Sequence, residues 1–565
     1  MTRKSVHGSR IVVATALLGV GTAMLGAGTA WPSGAVRAIG DPGAVRAVGD
    51  AGPRDAAKAA EVADATGAPT AANAAGAPKA AEATSAAGET DAQAAAGTAG
   101  RTSTTCEPLR LAPMLERLGA DGIESHELAN GLRVALAPRP GARTVTVRVA
   151  YEVGSRDDPD GLGGLAHLVE HLMFKGSERV ADGEHFRRVR DVGGRVNAFT
   201  DWDLTEYVDT LPPSALPRVL ESEADRMRGL RLDAASLETQ RAAIQEEEAL
   251  RILNVPYAEA AASFLGQIWR QTPYDHSPMG TDAERQAATL ADVEAFHAEH
   301  HAPDNAVLVL TGGFDPVAAR ASIAETFGSI RGRPGDEPRT RRPASEREPF
   351  AALDERAPEQ ASKVDPLAPF PVYGLIWPGV GVTRPEAPAL AVLDGLLLGH
   401  RDARLSRVVR GPLAFEATSL SFALRDAGLL NFIIVPRTFA SFREIRRAVD
   451  GVLEELARVG PGEEELCAAI RHEQIERLAL LETHEGLSAA IARGVLFAQD
   501  PRRFVRELEA LASLSPEAVR EAAERMFARP PSTLVIRPKG LMGWLKPLLE
   551  ILPDGVGASL ERSLL

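Results

Sequence analysis

The sequence predicts an α+β protein made of two homologous halves, each a mixed, mainly antiparallel sheet flanked by helices. Three observations predict it: hairpin signals and short returns between apolar strands, alternation of those strands with charged helices, and a segment late in the chain that repeats an earlier one. At 565 residues the chain is too long for one ordinary core, so two or more globular units are expected.

Residues 1–30 read as an export signal. Arg3, Lys4 and Arg10 precede the apolar run from Ile11 to Ala30, which ends on the small residues Gly28, Thr29 and Ala30. That run approaches the ~20 residues needed to span a bilayer, so an uncleaved N-terminal anchor is the alternative and the sole expected membrane attachment. Either reading places the rest of the chain outside the cytoplasm, in the periplasm or beyond the cell. Residues 31–108 are Ala-, Gly- and Pro-rich and lack the large apolar side chains that offset ordering entropy, so a disordered linker is expected.

An N-terminal domain is expected over residues 109–330. Asn130-Gly131 between short apolar stretches marks a hairpin turn. Val145, Val147 and Val149 alternate with polar neighbours, which makes Arg143 to Val153 a half-buried strand. Leu165 to Lys175 has helical apolar spacing, and Arg195 to Leu211 is extended up to Pro212-Pro213. Helical patterns follow over Ser214 to Arg228 and Ala234 to about Leu253, and a helix from Leu290 to His301 leads into the strand Ala306 to Thr311.

The Pro- and charge-rich residues 331–369 are the expected connection. A homologous C-terminal domain is expected over 370–540, because Ala242-Ala243-Ile244-Gln245-Glu246-Glu247 is echoed by Ala468-Ala469-Ile470-Arg471-His472-Glu473, and Leu290 to Leu310 by Leu514 to Ile536. Residues 541–565, with Met542, Trp544, Leu545 and Leu548, read as an amphipathic tail, expected to pack back on its own domain, with docking on a partner or a membrane surface as the alternatives.

A formal charge of −14 with no block of Lys and Arg excludes a phosphate footprint, so no nucleic-acid partner is expected. Cys106 and Cys467 lack metal-finger spacing. Outside the cytoplasm they either pair or stay as free thiols, and the sequence leaves both open. Gly161-Leu162-Gly163-Gly164 has the wrong spacing for a dinucleotide loop. His297, His300 and His301 at a helix end, and His472 and His484 on charged helices, read as surface histidines.

The chemistry lies in Gly164-Leu-Ala-His167-Leu-Val-Glu170-His171-Leu-Met-Phe-Lys-Gly176. Histidines four apart on a helix share a face and can grip one ion. Glu170 projects near that face, placed to activate a metal-bound water as a general base. Hydrolytic zinc takes three protein ligands and leaves one position open, and the carboxylates from Glu238 to Glu248 offer candidates for the third.

These residues resemble the pitrilysin and insulinase family of inverted-motif zinc peptidases, especially its bacterial, processing-peptidase-like branch. The likeness runs from about Leu128 to Pro538. It is carried by Glu152-Val-Gly-Ser-Arg-Asp-Asp158, the His167 to His171 helix, Gly193-Gly-Arg-Val-Asn-Ala-Phe-Thr200, Glu223-Ala-Asp-Arg-Met227, Gln240-Arg241 through Glu247, and Ala302-Pro-Asp-Asn-Ala306.

The resemblance implies a clamshell metallopeptidase fold and a Zn2+ cofactor. The family's spacing from the second histidine selects Glu247 as third ligand and leaves Glu246 and Glu248 facing water or a second layer. Gln240 stands where relatives often carry a Glu. Asn197 and Ala198 match positions that bind an extended peptide along a sheet edge. The second half lacks the motif and resembles the family's inactive half. Arg410 matches an oxyanion donor of that half, and Phe415 stands where some relatives have a Tyr.

The expected function is a zinc metalloendopeptidase acting on peptides or unfolded segments, as a homodimer or a heterodimer with an inactive homologous subunit. The alternatives are a weakly active or non-catalytic peptide-binding subunit, and a zinc hydrolase of non-peptide substrates.

Overall fold

Apolar alternation sets the strand pairing of two sheets in the computed structural model, which describes residues 109–332, 356–400, 402–437 and 440–540. The segments 1–30, 31–108 and 541–565 and most of 331–369 lie outside the described residues. Cys467 is disulfide-bonded and no described cysteine is free. Cys106, the other cysteine of the sequence, lies outside the described residues.

The first sheet contains β1 (Glu124–Glu127), β2 (Arg133–Pro138), β3 (Val145–Tyr151), β4 (Arg195–Thr200), β5 (Thr205–Leu211) and β6 (Ala306–Gly312), ordered β1-β2-β6-β3-β5-β4. Only β2 and β6 run parallel within it. The turn between β1 and β2 contains Asn130-Gly131, with Gly131 at φ +86°. The stretch Arg195 to Leu211 is a hairpin of β4 and β5.

The second sheet contains β7 (Gln360–Asp365), β8 (Val372–Val380), β9 (Ala414–Ser419), β10 (Phe422–Ala423), β11 (Ala427–Pro436) and β12 (Ser532–Pro538). Its order is β10-β11-β8-β12-β7, with β9 also paired to β11 and only β7 and β12 parallel. The path β7-β12-β8-β11-β9 therefore repeats β2-β6-β3-β5-β4 in neighbours and directions, as a duplicated unit requires. One boundary is corrected. Residues 360–365, read from sequence as connection, are β7, the counterpart of β2, and belong to the second sheet.

Helices of the first half include α1 (Leu165–Leu172), α2 (Glu184–Arg190), α3 (Leu216–Arg228), α4 (Ala234–Glu248), α5 (Ala258–Ile268) and α6 (Leu290–His300). Those of the second include α7 (Phe442–Val459), α8 (Glu463–Leu481), α9 (His484–Ala498) and α10 (Arg503–Ala512). The apolar faces of α1, α3, α4 and α6 pack on Val134, Leu136, Val147, Val149, Leu308 and Leu310. The opposite face of that sheet, Ala135, Ala137, Ala150, Val307 and Val309, is covered by α9 and its neighbours through Leu487, Ile491, Val495 and Phe504.

The reverse exchange occurs at the second sheet. One face meets α7 and α8 through Leu375, Phe432 and Ile434. The other meets α5 through Phe264 and Leu265, with Trp269 and Trp202 alongside. This exchange corrects the half-buried reading of the strand around Val147: every residue of β3 is buried, because α9 covers the face that alternation left polar.

His297 and His301 are also corrected. They are core, not surface: stacked at 5.3 Å, with His301 against Tyr151 at 4.6 Å, and burial pushes His297 down to about 4. No described helix is long and apolar enough to cross a membrane.

Candidate metal centre

The short helix α1 is fixed before it begins. Asp158 accepts the backbone N–H groups of Gly164 (2.7 Å) and Ala166 (2.8 Å), satisfying donors that a helix start leaves open. His276 Nε2 donates to the Ser155 carbonyl (2.8 Å) and to Asp158 (3.3 Å), fixing that carboxylate. Gly164 has φ +87°, and a Cβ there would lie 2.4 Å from the Met279 carbonyl oxygen. A side chain at that position would push α1 off its seat.

His167 and His171 then share a face, with ring centroids 4.7 Å apart. Glu247, in the last turn of α4, brings Oε2 to 3.2 Å from His171 Nε2 and 3.7 Å from His167 Nε2. Three donors around a tetrahedral zinc at 2.0–2.1 Å stand about 3.3 Å apart, so this set fits the ion. The neighbouring acids do not compete. Glu246 is exposed, and Glu248 bonds Arg285 at 2.5 Å.

Two side chains that sequence reasoning did not assign complete the arrangement. Arg251, one turn beyond Glu247 in the π-helical segment Ala249–Leu253, holds Glu247 Oε1 at 2.8 Å. An i,i+4 acid–base pair was the available signal. Thr200 Oγ1 donates to Glu170 Oε2 at 2.6 Å, a contact across thirty residues with no local signal.

Gln240, one face of α4 with Glu247, accepts from His171 Nδ1 at 3.2 Å. It therefore does for the ligand what an outer carboxylate does, but without charge.

The electrostatics suit a cation and a base. Burial raises Glu170 to about 7 against the opposing pull of His171 and Thr200. Burial lowers His167 to about 3, with His171 adding to it. At His171 burial works downward, yet the Glu247 hydrogen bond and the charges of Glu170 and Glu247 raise it. Burial would raise Glu247, but His171, His167 and Arg251 bring it down to about 2.

β4 is one of the two edges of the first sheet, paired among the described residues only with β5. Asn197 is exposed on it and Ala198 half-buried, three and two residues before Thr200. The edge thus leads directly to the group that holds Glu170. Arg410 is not brought to this cluster by any described contact. It bonds Glu416 (2.8 Å) and the Ala417 carbonyl (2.5 Å) in its own half. Phe415 is exposed and lies under the Arg437 guanidinium at 5.2 Å. In the second half Glu473 pairs with Arg477 at 2.9 Å, while half-buried Asp394 accepts from Ser419 and Ser421.

A second convergence, His185, Asp209 and Glu223, is buried beneath β5. Arg226 already bonds Glu223 there and lies over the Tyr207 ring at 4.2 Å. With this guanidinium supplying the positive charge, the group is a structural network.

Known proteins resemble this chain in sequence and fold. Residues 133–273 match the family described as Insulinase (Peptidase family M16), and residues 287–472 match Peptidase M16 inactive domain. An uncharacterised zinc protease of Mycobacterium tuberculosis is 29% identical over 73% of this chain and 92% of its own length. The zinc protease PqqE of Helicobacter pylori is 26% identical over 65% of this chain and 82% of its own. The crystal structure of a Helicobacter pylori protease shares the fold with a TM-score of 0.66 and 23% identity, covering 74% of this chain and 99% of that one. With its ligand set suited to zinc and its two halves each matched, the chain belongs to the insulinase family, peptidase family M16.

Proposed function

We propose that this chain is a zinc-dependent metalloendopeptidase that cuts peptides or unfolded protein segments. The observation that carries the proposal is the meeting of His167, His171 and Glu247 beside a buried Glu170, at the open edge of β4. Bound zinc lowers the pKa of a coordinated water toward ~7 and polarises a carbonyl.

The residues supply the rest. β4 adds the substrate as an extended strand, with Asn197 and Ala198 along it. Glu170, raised to about 7, takes a proton from the attacking water and returns it to the departing amine. Thr200 keeps one carboxylate oxygen occupied, which orients the other. Arg410 from the second half is assigned to the peptide or its oxyanion, on release from Glu416.

The chain works outside the cytoplasm, as a homodimer or with an inactive homologous subunit. A weakly active, peptide-binding role is the second reading. It is favoured by the engagement of Arg410 with Glu416 and by Phe415, which offers no hydroxyl.

Glu170→Gln tests the choice. On the first reading it retains stoichiometric zinc and loses activity on an unstructured peptide by ~10²–10⁴-fold. Zinc-loaded wild type without cleavage, alone or with its partner, favours the second.

A further inference from the structure

A cavity of about 100 Å³ lies away from the metal centre, where the two halves meet. Three of its walls are helical. α8 contributes Leu480 and Leu481, α9 contributes Ala489, Ala490 and Phe497, and α10 contributes Phe504 and Leu508. The β10 region closes it with Phe422 and Leu424, and the turn after β4 reaches it with Asp201 and Asp203. Helix backbones satisfy their own hydrogen bonds, so recognition here falls to side chains, and most of those are apolar.

The charges at the rim are unevenly matched. Arg477 is held by Glu473 (2.9 Å) and lies 3.6 Å from Glu507. Arg503 bonds Glu507 (2.7 Å) and the Val382 carbonyl. Arg493 differs. Among the described residues its one ionic neighbour, Asp201, stands at 3.6 Å, and its Nε is buried without an acceptor. Asp201 already receives the N–H groups of Asp203 (2.7 Å) and Leu204 (2.8 Å), and burial raises it to about 6, with Arg493 opposing. The rim therefore holds a cation with unused donor capacity above an apolar chamber.

We infer that this cavity binds a small amphipathic anion, a medium-chain carboxylate whose alkyl tail lies among Ala489, Phe497, Phe504 and Leu508 while its carboxylate pairs with Arg493. A planar guanidinium fork suits a carboxylate, and tail burial supplies the drive. The site shares no residue with the metal ligands. It is joined to the metal centre through the backbone, since Asp201 follows Thr200, the residue that donates to Glu170.

Octanoate is the probe, titrated calorimetrically into the zinc-loaded full chain, with octyltrimethylammonium and 1-octanol as comparators. Saturable 1:1 binding of octanoate is expected, at least tenfold tighter than either comparator. Arg493→Gln should weaken it about tenfold or more, Arg493→Lys should restore most of it, and Ala489→Trp should abolish it by filling the chamber. Zinc content and melting temperature identify any variant that fails to fold, and Arg493→Gln at the rim keeps the test decisive if Ala489→Trp does. Unsaturable uptake, equal affinity for the cationic analogue, or indifference to Arg493→Gln would overturn the inference.

Discussion

Gln240→Leu probes how firmly the outer layer of the metal centre holds His171. Gln240 is buried on α4, and its Oε1 lies 3.2 Å from His171 Nδ1. His171 Nε2, 3.2 Å from Glu247, is the nitrogen that would hold zinc, so Nδ1–H needs that acceptor to fix both ring orientation and tautomer. Leucine has similar bulk but no acceptor. A buried N–H left unpaired costs ~1–3 kcal/mol. Loss of an outer partner of this kind lowers metal affinity ~10–100-fold, or about 1.4–2.7 kcal/mol.

Competition between the metal-free protein and a chromophoric zinc chelator measures the dissociation constant directly. Gln240→Glu should act in the opposite direction, because a charge-assisted hydrogen bond is roughly twice as strong as a neutral one. The exposed Gln245→Leu on the same helix controls for a general effect on α4. If the Leu variant binds zinc within about threefold of wild type, or if Gln245→Leu weakens it equally, the positioning role assigned from geometry is wrong.

Gly164→Ala should deplete zinc, measured by atomic absorption, and destabilise by more than ~1 kcal/mol, because its Cβ meets the Met279 carbonyl at 2.4 Å and its φ is +87°; full zinc content would contradict this. His276 is raised from 6.5 to about 9, chiefly by its hydrogen bond to Asp158 and against burial. Its stabilisation is complete below the unfolded value and disappears as pH rises through about 9. Discounted for partial exposure, the loss is on the order of 1 kcal/mol. Urea unfolding should show it in wild type and not in His276→Gln, and parallel pH profiles would refute it. Arg156→Met should cost about 3 kcal/mol in the same assay. It removes the cation that bonds Asp203 (2.9 Å) and Tyr274 (2.9 Å) in one half and Asp426 (2.5 Å) in the other; a loss below ~1 kcal/mol would show that Arg425 replaces it.

What could be read from sequence was chemistry confined to one helix turn. His167, Glu170 and His171 announce themselves because helix geometry converts their spacing into a shared face. Glu247 is one of several acids until family spacing selects it; the fold places its carboxylate 3.2 Å from His171 while Arg285 engages Glu248.

What escaped was set by distant partners. β7 looks like linker because its residues alternate exposed and half-buried at a sheet edge, beside Pro-rich sequence. β3 looks half-buried because the helix that covers its other face arrives more than three hundred residues later. Arg148 shows the same effect: a charge at an outward position that is buried against Glu206 and Ser488. Thr200 and Asp158 act across gaps in the chain, so no local pattern marks them.

The exchange of helices between sheets means that neither half is a finished object. Severed anywhere between residues 333 and 355, the polypeptide would remain clasped, since α5 and α9 would still be gripped by the opposite fragment. Produced separately, the first fragment would bare the strip from Ala135 to Val309, and the second would bare Ile376, Ile433 and Leu534. Such surfaces invite aggregation. The duplicated halves are thus mutually dependent, since the half with the motif has one face of its sheet kept dry by the half without one.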